Sequence, residues 1–184
     1  YNRDEQGNMT PLPKPSIDTG MGLERIATVM QEVYSNYDTD LLRPIISFVE
    51  NISGRTYQEG EEGFPFRVIA DHSRAITFLI SDGVIPGNEG RNYVLRRIIR
   101  RAARYGKELD LNEPFLYKVI PQVVALMKDT YPEIEKNLVY IQKDVKAEEE
   151  RFLETLNDGL KILYEGIEKL SKEKKNQIPG NMAF

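Results

Sequence analysis

Apolar residues recur every three or four positions along most of the chain, which is the spacing of amphipathic helices. The pattern predicts a first helix from Gly22 onward, because apolar side chains beyond that point fall on one side. Further helices are predicted over 42–51, over 65–80 and over about 112–129. Proline stands in the first turn of two of them and glycine follows their ends, as helix limits require.

The last helical pattern runs from Pro132 to about Lys172 and is the longest in the chain. Its apolar positions step by three and four, apart from one charged turn at 148–150. This spacing fits a single helix lying along a bundle. It fits equally an antiparallel pair of helices that breaks near Asp158 and Gly159.

The N-terminal residues 1–16 lack the helical spacing and are mostly polar. Pro11, Pro13 and Pro15 favour extended backbone there, in a strand or a loop. The predicted fold class is therefore mainly α. We expect a helical bundle with a short β fragment at its N-terminus.

Composition excludes several kinds of chemistry. The 184 residues include no cysteine and one histidine, so disulfides are excluded and a Cys/His zinc site nearly so. We accordingly predict no metal-ligating residues. No apolar run reaches the roughly 18 residues of a membrane span, and no signal-peptide pattern opens the chain. We expect a cytoplasmic, monomeric chain without membrane contact.

Charge is segregated along the sequence. The chain carries 25 Lys and Arg against 29 Asp and Glu, for a net charge of −4. Residues 85–107 alone carry seven cations and one anion, so this window is +6 and the remainder is −10. Five of those cations are arginines in an otherwise aliphatic helical pattern: Arg96, Arg97, Arg100, Arg101 and Arg104.

Helical spacing places these arginines on one side of a helix and the aliphatic residues on the other. Like charges at i and i+4 repel, so the arrangement needs carboxylates or phosphates to neutralise it. One interpretation is a face that binds the sugar-phosphate backbone of a nucleic acid. The other is a non-catalytic helical scaffold whose arginines pair internally with the acidic C-terminal helices.

Other charged positions have structural interpretations. Glu148 to Glu150 is expected to be a solvated helix face, or else to neutralise part of the arginine helix. Asp71 and His72 are expected to be structural, because adjacent side chains point apart on a helix and no second histidine exists. Arg74 is a better candidate for RNA contact, or for a pair with Asp71.

A further informative segment is 17–25, where Gly20 and Gly22 alternate just before a predicted helix. Glycine lets the backbone approach a ligand closely. Arg25, in the first turns of that helix, could bind a phosphate bidentately or stack on a purine. Taken alone the segment is a weak signal, because a tight turn with a surface arginine explains it better.

Longer motifs resemble a known family. The sequence Gly-Met-Gly-Leu-Glu-Arg at 20–25 resembles motif 3 of class II aminoacyl-tRNA synthetases, and its extended form from residue 13 resembles alanyl-tRNA synthetases in particular. The matches follow that family's order over nearly the whole chain. The later segments, which are similar to the family's helical tRNA-recognition region, are 68–75, 82–86, 88–91 and 93–102.

The resemblance implies a two-part organisation and an activity. Residues 1–36 would be the C-terminal end of the class II catalytic domain, with its motif 3 strand and helix. Residues 37–184 would be the helical tRNA-recognition domain. The implied activity is the ATP-dependent attachment of alanine to its tRNA, with ATP and Mg²⁺ serving the intact enzyme.

The same resemblance assigns roles around motif 3. Arg25 would contact ATP and Asp18 would meet the amino group of alanine, with Gly20 and Gly22 beside the nucleotide. Motifs 1 and 2 are not found in the 184 residues. We therefore expect an internal piece of a synthetase, which holds no cofactor and is inactive by itself.

Asn88 matches the asparagine that the family uses to read the G·U wobble pair of the tRNA acceptor stem. An amide both donates and accepts hydrogen bonds, which suits a base edge in the shallow groove of A-form RNA. The alternative for Asn88 is the N-cap of the arginine helix. Asn92 departs from the family pattern, in which glycine is expected; asparagine would tolerate a positive φ there. The predicted tRNA-binding residues are Arg74, Asn88, Arg91, Arg96, Arg97, Arg100, Arg101 and Arg104.

Overall fold

The computed structural model describes residues 1–14, 16–17, 19–172 and 177–180. Two compact units make up the chain, one over 1–39 and one over 40–184. Each unit is built from different secondary structure.

The first unit contains a β-hairpin and a short helix. Strand β1 (Asn2–Arg3) pairs antiparallel with strand β2 (Met9–Thr10). Helix α1 (Leu23–Met30) is followed by a 3₁₀ turn over Asn36–Asp38. The described residues from 11 to 22 contain no strand, so the strand expected directly before α1 is not found there. A strand needs a hydrogen-bonding partner, and the prolines of this segment lack the N–H donors that pairing requires.

The described residues of the second unit form helices joined by loops and contain no strand. This confirms the mainly α fold class with a short β fragment at the N-terminus. Helix α3 packs against each of the other five helices of this unit. Those helices are α2 (Arg43–Ser53), α4 (Gly90–Glu108), α5 (Leu116–Met127), α6 (Pro132–Lys136) and α7 (Leu138–Lys172), around α3 (Phe64–Ser81).

Aliphatic side chains form the core between these helices. Each large aliphatic residue that is fully buried contributes about 1.5–3 kcal/mol relative to exposure. This burial positions α4 firmly between α3 and α7. The fully buried isoleucine and leucine side chains are Ile45, Ile46, Ile69, Ile76, Ile80, Leu95, Ile99, Leu116, Ile120, Ile134 and Ile141.

The predicted helix limits are confirmed for α2 and α3. Helix α2 ends at Gly54, whose φ of 68° lies in the left-handed region that glycine adopts without strain. Helix α3 carries Pro65 in its first turn and is followed by Gly83, with φ of 83°. No helix in the described residues combines the length and apolar character needed to cross a membrane.

The C-terminal pattern differs from the expectation of one helix from Pro132. The helix is interrupted at Asn137, whose side-chain amide donates to the Ser81 hydroxyl at 3.1 Å and so joins the end of α3. Beyond it, α7 is continuous through Asp158 and Gly159. The antiparallel pair is therefore wrong for the described residues.

Candidate nucleic-acid interface

Five of the six arginines of α4 fall into two groups with different surroundings. Arg96 and Arg100 face α7, and their side chains are 17% and 36% exposed. Both groups lie on a helix whose buried face is formed by Leu95 and Ile99. The arginines on the outer side, which we call the exposed row, are Arg97, Arg101 and Arg104.

Glu148 of α7 anchors the first group. Its side chain is only 2% exposed, and its Oε1 accepts a hydrogen bond from Arg100 Nε at 2.8 Å. Arg96 Nε lies 3.1 Å from the same oxygen as an ion pair, without the angle of a hydrogen bond. Arg151 adds a more distant cation, 4.0 Å from Oε2. The Arg100 guanidinium also lies 5.6 Å from the ring centroid of Phe152.

Glu149 is also buried, but it serves a different helix. Its carboxylate accepts hydrogen bonds from the backbone N–H groups of Phe115 at 3.1 Å and Leu116 at 3.0 Å. It thereby caps the start of α5, where backbone donors have no helical partners. Burial raises the pKa of Glu149 to about 7, although the two N–H groups act in the opposite direction.

The expectation that Glu148 to Glu150 form a solvated face is thus wrong for two of the three residues. Glu150 alone is exposed, with Lys146 at 3.7 Å. The alternative, that this turn neutralises part of the arginine helix, is confirmed for Glu148. Sequence could have signalled the burial, because both carboxylates continue the helical spacing of Ile141 and Val145.

The exposed row forms no ion pair with any carboxylate in the described part of the chain. Two of its members lie near aromatic rings: the Arg97 guanidinium is 5.9 Å from the Tyr93 centroid, and that of Arg104 is 5.7 Å from the Tyr105 centroid. Arg91, at the start of α4, is exposed as well. Internal pairing with α7 therefore accounts for only Arg96 and Arg100.

Asp71 and His72 do contact each other, contrary to the expectation that they point apart. His72 Nδ1 lies 2.9 Å from an Asp71 carboxylate oxygen. The hydrogen bond from His72 lowers the pKa of Asp71, with smaller contributions in the same direction from Arg74 and Arg101. Arg74 itself is half-buried.

Asn88 lies in an exposed loop immediately before α4. Its Oδ1 accepts a hydrogen bond from Arg96 Nη1. The N-cap of α4 is Glu89, without a side-chain capping bond, so the alternative that Asn88 caps the helix is wrong.

Glycines fix the shape of this loop. Gly90 has a positive φ of 54°, whereas Asn92 is helical. The positive φ considered for Asn92 is therefore wrong, and it occurs at Gly90 instead. The Gly87 N–H donates to the Asn92 carbonyl at 3.1 Å. A Cβ at Gly87 would stand 2.8 Å from Asn92 Cβ, which leaves no space for a side chain there.

The motif 3 segment is only partly described. Asp18 lies outside the described residues. Gly22 has extended backbone and precedes α1, and Arg25 is exposed in the first turn of that helix. A Cβ at the exposed Gly20 would meet no atom of the described chain within 4 Å. Among the described residues no cluster of three or more His, Asp or Glu is placed to hold a metal ion.

Comparison with known proteins identifies the class. The chain matches the family model described as tRNA synthetases class II (A) over residues 1–184. It therefore belongs to the class II tRNA synthetases, as its motifs had predicted. Relatives include the alanine–tRNA ligases of Bacillus cytotoxicus and Bacillus mycoides, each 52% identical to this chain over 186 residues. The alignments cover 100% of this chain but 21% of each relative, so it spans about a fifth of their length.

Proposed function

We propose that this chain is part of an alanine–tRNA ligase and that residues 40–184 bind the acceptor stem of tRNA. The activity of the whole protein is the ATP-dependent attachment of alanine. The 52% identity to alanine–tRNA ligases supports this assignment. The observation that carries the RNA-binding role is the exposed row, which forms no ion pair among the described residues.

The spacing of the exposed row suits a phosphate backbone. Arg97, Arg101 and Arg104 stand at i, i+4 and i+7, about 6 Å and then about 4.5 Å apart along the helix axis. Their mutual repulsion is relieved when phosphates lie against them, and the cations condensed on those phosphates are released. Of the α4 arginines, Glu148 pairs with Arg96 and Arg100 only, so a purely internal scaffold would leave the exposed row without a carboxylate at ion-pair distance among the described residues.

Asn88 reads the G·U wobble pair in this proposal. It is exposed at the N-terminal end of the arginine helix, where phosphate contacts would set its register against a base edge. The neighbouring cations Arg91 and Arg74 extend the positively charged surface along α4 and α3. Phosphate contacts carry no sequence information, so discrimination is assigned to the neutral amide.

Motif 3 completes the site for ATP and alanine in the whole protein. Arg25 is exposed and can contact a phosphate, and the exposed Gly20 lets a nucleotide approach the backbone closely. Gly22 lies one residue before α1, and Asp18 is assigned to the amino group of alanine. Mg²⁺ would arrive with the ATP phosphates and neutralise part of their charge. The proposed setting is the cytoplasm, with this chain monomeric.

Binding to a short RNA duplex with a G·U pair tests the proposal. The wild-type chain is compared with a triple variant, Arg97→Gln, Arg101→Gln and Arg104→Gln, over a range of salt concentrations. We expect the triple variant to bind more weakly and the slope of log affinity against log salt to shrink by about two to three. Lys161→Gln, an exposed cation on α7, is the control and should leave the slope unchanged. Equal slopes for all three proteins would refute the RNA-binding role.

A further inference from the structure

The Arg96 guanidinium bridges a buried carboxylate and the exposed reading loop. Its Nε lies 3.1 Å from Glu148 Oε1, while its Nη1 donates to Asn88 Oδ1. Arg96 is the most enclosed of the α4 arginines that pair with Glu148, with 17% of its side chain exposed against 36% for Arg100. One planar group therefore joins α7 to the loop before α4.

We propose that Glu148 is a positioning residue for RNA discrimination, which acts through Arg96 to hold the Asn88 amide in one orientation. This inference rests on the proposed function of Asn88. The inference gives a role in RNA discrimination to Glu148, which lies on α7 and is 60 positions from Asn88 in sequence. Glu148 touches no RNA in this scheme.

Glu148 is held in place by its burial. A carboxylate that is 2% exposed is held by its packing, so it defines a fixed point on α7. The rigid fork of an arginine transmits that position, because its Nε and Nη groups have a constant geometry. Lysine has a single ammonium group and cannot reproduce both contacts.

The hydrogen bond from Arg96 also fixes the orientation of the Asn88 side-chain amide. Asn88 Oδ1 is directed at the guanidinium, so the NH₂ group lies at the other end of the amide. The remaining lone pair of Oδ1 and both N–H donors stay available to a base edge. Without Arg96 the exposed side chain would rotate among its rotamers and present donor and acceptor interchangeably.

The backbone of the loop is held separately. The Gly87 N–H bonds to the Asn92 carbonyl at 3.1 Å, and this contact involves neither Glu148 nor Arg96. Removing Arg96 should therefore free the amide without displacing the loop. The effect of an Arg96 substitution on RNA discrimination can thus be separated from loss of the fold.

The chain offers a matched pair of substitutions. Arg96→Lys and Arg100→Lys each remove one guanidinium from Glu148, but only Arg96 bonds to Asn88. The measurement is the ratio of affinities for two RNA duplexes that differ only by a G·U or a G·C pair. We expect Arg96→Lys and Asn88→Ala to lower this ratio at least about fivefold. Arg100→Lys should keep it within about twofold of wild type.

The side-chain amide signals of Asn88 in a ¹⁵N–¹H spectrum give a second readout that needs no RNA. They are identified by their absence from Asn88→Ala, and we expect them to move in Arg96→Lys and Glu148→Gln but to stay in Arg100→Lys. Unmoved signals in Arg96→Lys or in Glu148→Gln, or an equal loss of discrimination in both lysine variants, would overturn the positioning role alone. Absence of discrimination in the wild-type chain would overturn the reading function of Asn88 and this inference with it.

Discussion

Glu149 shows how one buried carboxylate can set the pH dependence of stability. Its folded pKa of about 7 lies above the value of 4.5 for the free group, because burial disfavours the charged form. Between these two values the folded state binds more protons than the unfolded state, so stability falls as pH rises. The contribution is fully present below pH 4.5 and is lost by about pH 7.

Glu149→Gln should remove this component of the pH dependence. Glutamine keeps an oxygen that can accept from Phe115 and Leu116 but carries no charge. Relative to wild type, the variant should gain on the order of 3 kcal/mol between pH 4.5 and pH 8. Urea unfolding at the two pH values measures this gain. Glu154→Gln, an exposed neighbour on α7, should show no such gain; a parallel pH dependence in Glu149→Gln and wild type would contradict the assignment.

At the scale of single residues, the sequence predicted which face of a helix a side chain occupies better than which residues it contacts. Arg96 and Arg100 were expected on one face of the helix, and they share one carboxylate. The sequence did not identify Glu148 as that carboxylate, because a glutamate in line with apolar residues of a helix can be either buried or directed to solvent. Tertiary packing between α4 and α7 decides which, and it acts over 48 residues of sequence for the Arg100–Glu148 bond.

At the scale of elements, α4 meets the residue that precedes α5 at Gly106. Gly106 is buried, and a Cβ there would overlap the ring of Phe115. We expect Gly106→Ala to destabilise the fold by about 1–3 kcal/mol, as overpacking usually does. The loss should appear as a lower midpoint in urea unfolding.

Gly159→Ala is the matched control within α7. Its added Cβ would meet no described atom within 4 Å, so only helix propensity changes. Alanine is favoured over glycine in a helix by about 1 kcal/mol. The control should therefore be more stable than wild type. A Gly106→Ala variant that is also stabilised would mean that the helices are not packed as described.

Element positions followed from local signals where those signals were strong. Pro65 and Gly83 bracket α3 as predicted, because both act through their own backbone. The break at Asn137 had no such signal, since it depends on a bond to Ser81 on another helix. The strand expected before α1 is not found in the described residues for a similar reason. A strand forms only where another strand hydrogen-bonds to it, and the local sequence does not show whether such a partner exists.

At the scale of the whole molecule, the chain should not form alanyl-adenylate by itself. Motif 3 supplies one wall of the proposed nucleotide site, and electrostatic positioning of ATP requires all its parts to be held together. The measurement is alanine-dependent exchange of pyrophosphate into ATP by the purified 184-residue chain. Exchange above the level of an Arg25→Ala variant would contradict this expectation.

The sequence showed that the positive charge is concentrated in one helix. It did not show which arginines of that helix pair with a carboxylate. The arginine-rich window of an acidic chain predicted a cationic helix. The structure divides it into a group bound to Glu148 and the exposed row. Under the proposed function, the group bound to Glu148 stabilises the fold and the exposed row binds RNA.

The most direct test compares Arg97→Gln with Arg100→Gln. For each variant, urea unfolding gives the stability, and binding to an RNA duplex at several salt concentrations gives the salt slope. Arg97→Gln should reduce the slope by about one and leave the stability unchanged. Arg100→Gln should lower the free energy of unfolding by about 1 kcal/mol, a modest value because its side chain is partly exposed, and should leave the slope unchanged. The reverse assignment, with Arg97 stabilising the fold and Arg100 setting the salt slope, would contradict the account.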